Sequence, residues 1–215
     1  NNGAVDNASG TAALLAMAES FANAEVQPER SILFLAVTAE ESGLLGSAYF
    51  AEDPFVPLKN IVGGINMDAF LPMPPAHDLT VVGYGKSEME DILKIVADKY
   101  GKRLEPDPTP QAGYFYRSDH ISLAKKGVPM IYVDNGVDLI DGGVEAGRAF
   151  QDEYTEIRYH KPADEYDDSW QLDGTVEVLN VLRDVGAIMA YGEDWPNWYE
   201  GDEFRGLRDE MRAGE

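Results

Sequence analysis

The sequence predicts an α/β protein with three layers, in which helices flank both faces of a mostly parallel central sheet. Short apolar segments such as 31–38 and 128–133 alternate along the chain with longer segments of helical periodicity such as 8–24 and 175–191. The length of 215 residues, with 44% hydrophobic and 26% charged residues, is typical of one globular domain with a sizeable core. We therefore interpret residues 1–215 as a single domain.

Four short apolar runs predict strands. The runs are nearly continuous rather than alternating, which is typical of strands buried on both faces of a sheet. They cover residues 31–38, 61–67, 79–83 and 128–133.

Five segments with apolar residues at helical spacing predict helices. They cover residues 8–24, 44–51, 87–100, 119–126 and 175–191. Residues 105–118 are rich in Pro and Tyr and predict a loop, and residues 134–158 hold many Gly and acidic residues and predict a long surface excursion. The tail 195–215 is expected to be a terminal helix or an interaction arm, with its Trp residues either at a contact surface or in the core.

The charge of the chain excludes some partners. The formal net charge is −22, and a field of that sign repels nucleic acid and anionic membranes while it attracts metal cations and protonated amines. Most of these carboxylates are expected to form a solvated acidic surface. The chain has no cysteine, so thiolate ligands and disulfides are excluded, and no apolar run is long enough for a membrane span.

Carboxylates follow two of the predicted strands. Glu40 and Glu41 come after the strand 31–38, and Asp68 comes directly after the strand 61–67. In open α/β sheets ligands bind beyond the carboxyl ends of strands. Three carboxylates brought together there would repel one another, which favours a divalent metal as the group that offsets the repulsion. The alternative is that they cap helices.

Two further residues are candidates for the same site. Asp6 precedes the first predicted helix among small residues, where it could equally serve as an ordinary N-cap. His160 is one of three histidines and stands in a polar segment, where imidazole is a common zinc ligand. A single histidine is more often structural, so both interpretations stay open at this point.

Five segments of the chain, in order, resemble one enzyme family. They are GAVDNASGTAALL, ILFLAVTAEESGLLGS, GGINMDAF, YRSDHISLAKKGVPMIY and YHKPADEYD. The chain resembles, over about residues 1–190, the co-catalytic di-zinc aminopeptidases of metallopeptidase clan MH. Relatives include bacterial leucyl aminopeptidases, glutamate carboxypeptidase II and glutaminyl cyclases. The resemblance implies the three-layer zinc-exopeptidase fold and a peptide substrate with a free N-terminus.

The resemblance also implies roles for individual residues. Asp6 would bridge two zinc ions, with a cis peptide bond after it. Glu41 and His160 would bind one ion, and Asp68 the other. Glu40 would be the general base that takes a proton from the attacking water and passes it to the leaving amine.

One expected element is missing from this alignment. In the family the second ion also takes a histidine from a His-x-Asp segment ahead of the Asp6 motif, and neither His77 nor His120 aligns with it. We therefore expect the domain to be N-terminally incomplete, with the missing elements upstream of Asn1 or on a second chain. The activity of the chain alone is open.

A further segment is expected to line the pocket opposite the metals. Its candidate substrate-binding residues are Tyr116, Ser118, Asp119 and His120. Either Tyr116 or His120 could donate a hydrogen bond to the oxyanion or hold the substrate backbone. The alternative is a loop that caps the helix beginning near Asp119.

Other activities share this fold. A carboxypeptidase, a glutaminyl cyclase working with one zinc, or a non-catalytic scaffold such as the transferrin-receptor ectodomain would carry the same segments. The survival of Asp6, Glu40, Glu41, Asp68 and His160 argues against the scaffold. A metallo-aminopeptidase is the leading hypothesis, and the carboxypeptidase and the cyclase stay open. A periplasmic or extracellular location is expected from the resemblance.

Overall fold

The computed structural model describes residues 2–213, so Asn1, Gly214 and Glu215 at the two ends of the predicted domain lie outside the described residues. The strands are β1 (Gly64–Asn66), β2 (Asp78–Val82), β3 (Arg103–Pro106) and β4 (Met130–Asn135). The helices are α1 (Ala8–Ala22), α2 (Leu45–Glu52), α3 (Met89–Lys99), α4 (His120–Ala124), α5 (Gly143–Glu153), α6 (Asp173–Tyr191) and α7 (Arg205–Arg212).

The strands form one mixed sheet in the order β1-β4-β2-β3. β4 runs parallel to β1, and β3 runs parallel to β2, while β2 and β4 are antiparallel. Helices pack on both faces of this sheet, so the predicted α/β three-layer architecture is confirmed.

The alternation of side chains along β4 explains the two helical layers. Ile131 and Val133 point to one face and pack with residues of α1, α3 and α6. Met130 and Tyr132 point to the other face and pack with residues of α2 and α4. Because both faces of β4 are covered, the strand is apolar from Met130 to Val133, as the sequence pattern predicted.

The prediction of a strand at residues 31–38 is wrong. This segment forms no ladder in the part of the chain that the structure describes, and β1 is shorter than the predicted 61–67. A groove of about 770 Å³ lies between the two segments, lined by 31–37 on one side and 60–67 on the other. The apolar run therefore has no strand edge within hydrogen-bonding distance.

Two regions that were predicted to lack regular secondary structure contain a strand or a helix. β3 is a short polar strand at the edge of the sheet. It ends at Pro106 and therefore overlaps the start of the predicted loop 105–118. The predicted surface excursion 134–158 includes the end of β4 and the whole of α5. α5 was not predicted because its sequence holds several Gly and acidic residues. One of these, Gly147, lies against the backbone of Val137 with no room for a Cβ.

The C-terminal tail is packed onto the domain. Trp198 is fully buried and its Nε1 donates a hydrogen bond to the carbonyl oxygen of Gly127 at 3.0 Å. The guanidinium of Arg208 in α7 donates to the carbonyl oxygens of Ile61 and Val62 at 3.0 and 3.1 Å. Trp198 therefore belongs to the core, and α7 is the helix expected in this region. None of the described helices combines the length and the apolarity that crossing a membrane requires.

Candidate metal centre

Three predicted metal ligands from distant parts of the chain lie together. Asp6 stands at the start of α1, Glu41 in a 3₁₀ turn (Glu40–Ser42), and His160 just after a π turn (Tyr154–Arg158). Nε2 of His160 lies 3.3 Å from Oδ2 of Asp6 and 3.1 Å from Oε1 of Glu41. One ligand atom from each of the three residues lies within 4.8 Å of the others, which is close enough for a single ion to reach all three.

Asp68 lies beside this cluster and is held from behind. Oδ2 of Asp68 accepts a hydrogen bond of 2.6 Å from the Ser118 hydroxyl, which in turn accepts one of 2.7 Å from the Asn66 amide. The carboxylate of Asp68 contributes to the raised pKa of Asp6, so the two groups are close enough to repel. Hydrogen bonds of this kind, made by residues that do not themselves touch the metal, orient a carboxylate toward it.

Burial and mutual repulsion raise the pKa values of these carboxyl groups. Burial raises the pKa of Asp6 to about 6, with further contributions from the carboxylates of Asp68 and Glu41. Burial raises the pKa of Glu40 to about 7, and Asp68 and Glu41 again add to the effect. A carboxyl group with a pKa near neutrality can accept and release a proton, which is what a general base requires.

The backbone is strained at each side of the cluster. Four non-glycine residues have positive φ among the residues that the structure describes, and all four adjoin or belong to the cluster. They are Ala39, Leu44, Ala69 and His160. Ala39 and Leu44 flank the turn that carries the two glutamates, and Ala69 follows Asp68. Strained conformations of this kind concentrate at functional sites, where the surrounding structure holds them.

The loop that carries Asp6 is fixed by two residues. The carboxylate of Asp164 accepts hydrogen bonds from the backbone N–H groups of Val5 (2.9 Å) and Asp6 (3.0 Å). The Asn7 side chain caps α1 by accepting from the Gly10 N–H, and the Asp6–Asn7 bond is cis, as the resemblance implies. Sequence reasoning missed the role of Asp164, although it lies in the same motif as His160.

The four predicted substrate-binding residues separate into two groups. Tyr116 and Ser118 line the pocket, and Tyr116 donates a hydrogen bond of 2.6 Å to Glu203. Asp119 and His120 do not line it. His120 is 1% exposed and packs between the rings of Phe115 and Tyr132, and burial lowers its pKa to about 3. His120 is therefore neutral and lies behind the pocket wall.

The pocket around the cluster has a volume of about 880 Å³ and is both acidic and aromatic. Its described lining includes five tyrosines, seven carboxylates and a single Lys or Arg, which is Arg117. The described ion pairs of Asp6 and Glu41 involve His160 alone. Carboxylate oxygens and an imidazole nitrogen are typical zinc ligands, so the donor set fits zinc and lacks another cation to offset its charge.

The fold and the pocket together define an α/β protein of the zinc-exopeptidase type. The model of peptidase family M28 matches residues 1–184. The chain therefore belongs to peptidase family M28, a family of zinc-dependent peptidases.

Two known proteins illustrate this similarity. The chain is similar to the aminopeptidase from Aneurinibacillus sp. strain AM-1, with a TM-score of 0.62 and 20% identity over 90% of this chain and 41% of that one. It is also 44% identical over 55 residues to the vacuolar membrane protease of Pyricularia oryzae, which is 26% of this chain and 5% of that protein. The chain thus spans less than half the length of either protein.

Proposed function

We propose that the chain carries the catalytic site of a zinc-dependent aminopeptidase, which hydrolyses the first peptide bond of a substrate with a free N-terminus. The observation that carries this proposal is the convergence of Asp6, Glu41 and His160 within 4.8 Å. Glu40 lies beside that cluster as the general base, and its pKa is raised to about 7.

The geometry supports two ligand sets. Asp6, Glu41 and His160 would hold one ion, and Asp6 and Asp68 would hold a second. The second ion would need a further ligand, which we propose comes from an upstream segment or a second chain. The open groove beside residues 31–37 supports this proposal, because an apolar surface of that size favours a covering element.

The residues of the chain divide the chemistry among them. Zinc at such a site supplies Lewis acidity, which polarises the scissile carbonyl and acidifies water. Glu40 accepts the proton of the attacking water and delivers it to the nitrogen of the leaving amine. Ser118 keeps Asp68 oriented through the 2.6 Å hydrogen bond, and Asp164 keeps Asp6 in place.

The charge of the pocket favours an aminopeptidase over a carboxypeptidase. The N-terminal ammonium of a peptide would meet several carboxylates, whereas a C-terminal carboxylate would find a single described cation, Arg117. Selectivity for one charge sign follows from this asymmetry.

The test combines metal analysis with a matched pair of substrates. The protein is loaded with zinc, its metal content is measured, and release of the first residue is followed from a free peptide and from the same peptide with an acetylated N-terminus. We expect cleavage of the free peptide only, and loss of zinc in His160→Ala. Ring closure of an N-terminal glutamine would indicate a cyclase. Two zinc ions bound per chain with no turnover of any peptide would indicate a scaffold.

A further inference from the structure

A carboxylate outside the proposed metal centre occupies a wall of the same pocket. Asp134 stands near the end of β4, where it pairs with Thr80 of β2, and both residues line the pocket. β1 and β4 run parallel, and Asn66 of β1 pairs with Tyr132 of β4. Asp68 comes two residues after Asn66, and Asp134 comes two residues after Tyr132. The two aspartates therefore lie at the same edge of the sheet.

Asp134 has no partner for its charge. Its Oδ1 is inaccessible to solvent and has no hydrogen-bond partner, and no described ion pair reaches the residue. Nearby Asp78 differs, because it accepts hydrogen bonds from the N–H groups of Val137 and Asp138. Asp107, which also lines the pocket, accepts two hydrogen bonds from Thr109. Of these three carboxylates, Asp134 is the one left unsatisfied by its own surroundings.

An unpaired buried carboxylate is costly, and the cost is removed when a cation binds. Burial raises the pKa of Asp134 well above its ordinary value, and the carboxylate of Asp68 adds to this effect. Among the described lining residues there is no lysine, and the single arginine is Arg117. A cation that pairs with Asp134 would therefore come from a ligand in the pocket.

We propose that Asp134 is a specificity-determining residue that pairs with the positively charged side chain of a substrate whose first residue is lysine or arginine. This inference rests on the proposed aminopeptidase function, which places the first residue of the substrate in this pocket. The ammonium or guanidinium group enters beside Thr80 and donates hydrogen bonds to the carboxylate of Asp134.

The test compares substrates that differ in one charge. The rate constant kcat/KM of the zinc-loaded protein is measured with lysine and norleucine 4-nitroanilides, since norleucine has the chain length of lysine without its ammonium. We expect lysine to be preferred by roughly 10- to 100-fold. In Asp134→Asn the ratio is expected to fall to about one.

A matched variant separates a specific contact from the general field of the pocket. Asp152 also lines the pocket but is exposed. Asp152→Asn removes the same charge and is expected to leave the ratio of lysine to norleucine unchanged. An equal loss of preference in both variants would overturn the role of Asp134, and so would a substrate preference for uncharged polar side chains.

The failure of this inference is distinguishable from the failure of the proposed function. Equal cleavage of both substrates would reject the role of Asp134 and leave the aminopeptidase standing. If neither substrate is cleaved, binding of lysinamide and norleucinamide to the zinc-loaded protein is measured by calorimetry. Tighter binding of lysinamide that disappears in Asp134→Asn would still support the pairing, whereas equal affinities would reject it.

Discussion

Two regions of the molecule have similar apolar sequences and different environments. The closed half consists of β2, β4, α3 and α6, whose inward side chains are almost fully buried. The open half consists of residues 31–38, β1 and α1, and it borders the groove of about 770 Å³. Leu33 in the open half is 45% exposed, whereas Leu182 in the closed half is 0% exposed. Apolar composition alone therefore does not determine whether a segment becomes a strand.

The difference bears on the function because most of the proposed metal ligands belong to the open half. Asp6, Glu41 and Asp68 come from or directly follow elements of the open half, whereas His160 comes from the segment between α5 and α6. Bound metal would therefore tie the incompletely packed region to the segment that leads into α6.

The largest effect is expected from the general base at the end of the open half. Glu40→Gln removes the proton acceptor but none of the proposed ligands, so we expect kcat to fall roughly 10²- to 10⁴-fold while zinc content is unchanged. Steady-state kinetics and metal analysis on the same preparation check both parts. Glu19→Gln, an exposed change in α1 of the open half, serves as the control. Loss of zinc from the Glu40 variant would show that Glu40 and Glu41 exchange roles.

A pair of identical substitutions tests the comparison directly. Leu182→Ala in the closed half should lower the free energy of unfolding by about 2–5 kcal/mol, because it leaves a cavity in a packed core. Leu33→Ala in the open half should cost less than about 1 kcal/mol, because its side chain is already 45% exposed. Urea denaturation of both variants measures the difference. Equal losses would mean that residues 31–38 are covered in solution.

The same comparison explains which parts of the fold could be predicted from sequence. β2, β4, α3 and α6 follow their apolar patterns because each meets the partner that its pattern requires. The segment 31–38 has an equally clear pattern, but a strand also needs a neighbouring edge, and no local pattern reports that. α5 was hidden for another reason, because its Gly and acidic residues have low helix propensity or lie on its exposed side.

The site was predictable to a similar, limited degree. The resemblance pointed to Asp6, Glu41 and His160, and the structure brings these residues together. Asp164 and Asp134 were not found, since a hydrogen bond to a distant backbone and an unpaired carboxylate are visible only in three dimensions. His120 stands in the quoted motif, yet ring packing turns it away from the pocket.

A smaller effect is expected from the hydrogen bond that orients Asp68. Ser118→Ala removes the donor to Oδ2 of Asp68, so the affinity for the more weakly bound zinc should fall roughly 10- to 100-fold. Competition with a chelator measures this affinity, and Ser169→Ala in an exposed turn is the control. An unchanged affinity in Ser118→Ala would show that Asp68 is held by the open half alone.

The smallest effect concerns the pH dependence of stability, and its sign should differ with and without metal. In the metal-free folded protein the pKa of Asp6 is raised from 3.8 to about 6 and that of Glu40 from 4.5 to about 7. The folded state then binds protons more tightly than the unfolded state. The stability that these two groups contribute is therefore fully present below about pH 4 and is lost as the pH rises to about 7.

Zinc should reverse this trend, because its ligands bind it in their deprotonated form and binding to the folded state stabilises it. The difference in Tm between zinc-loaded and chelator-treated protein is expected to widen from about pH 5 to about pH 7. Calorimetry at several pH values measures it. Glu40→Gln should flatten part of the metal-free slope, since it removes one titrating group without removing a ligand. If this variant leaves the slope unchanged, the pH dependence would arise from the overall acidity of the chain, with its net charge of −22, and not from Asp6 and Glu40.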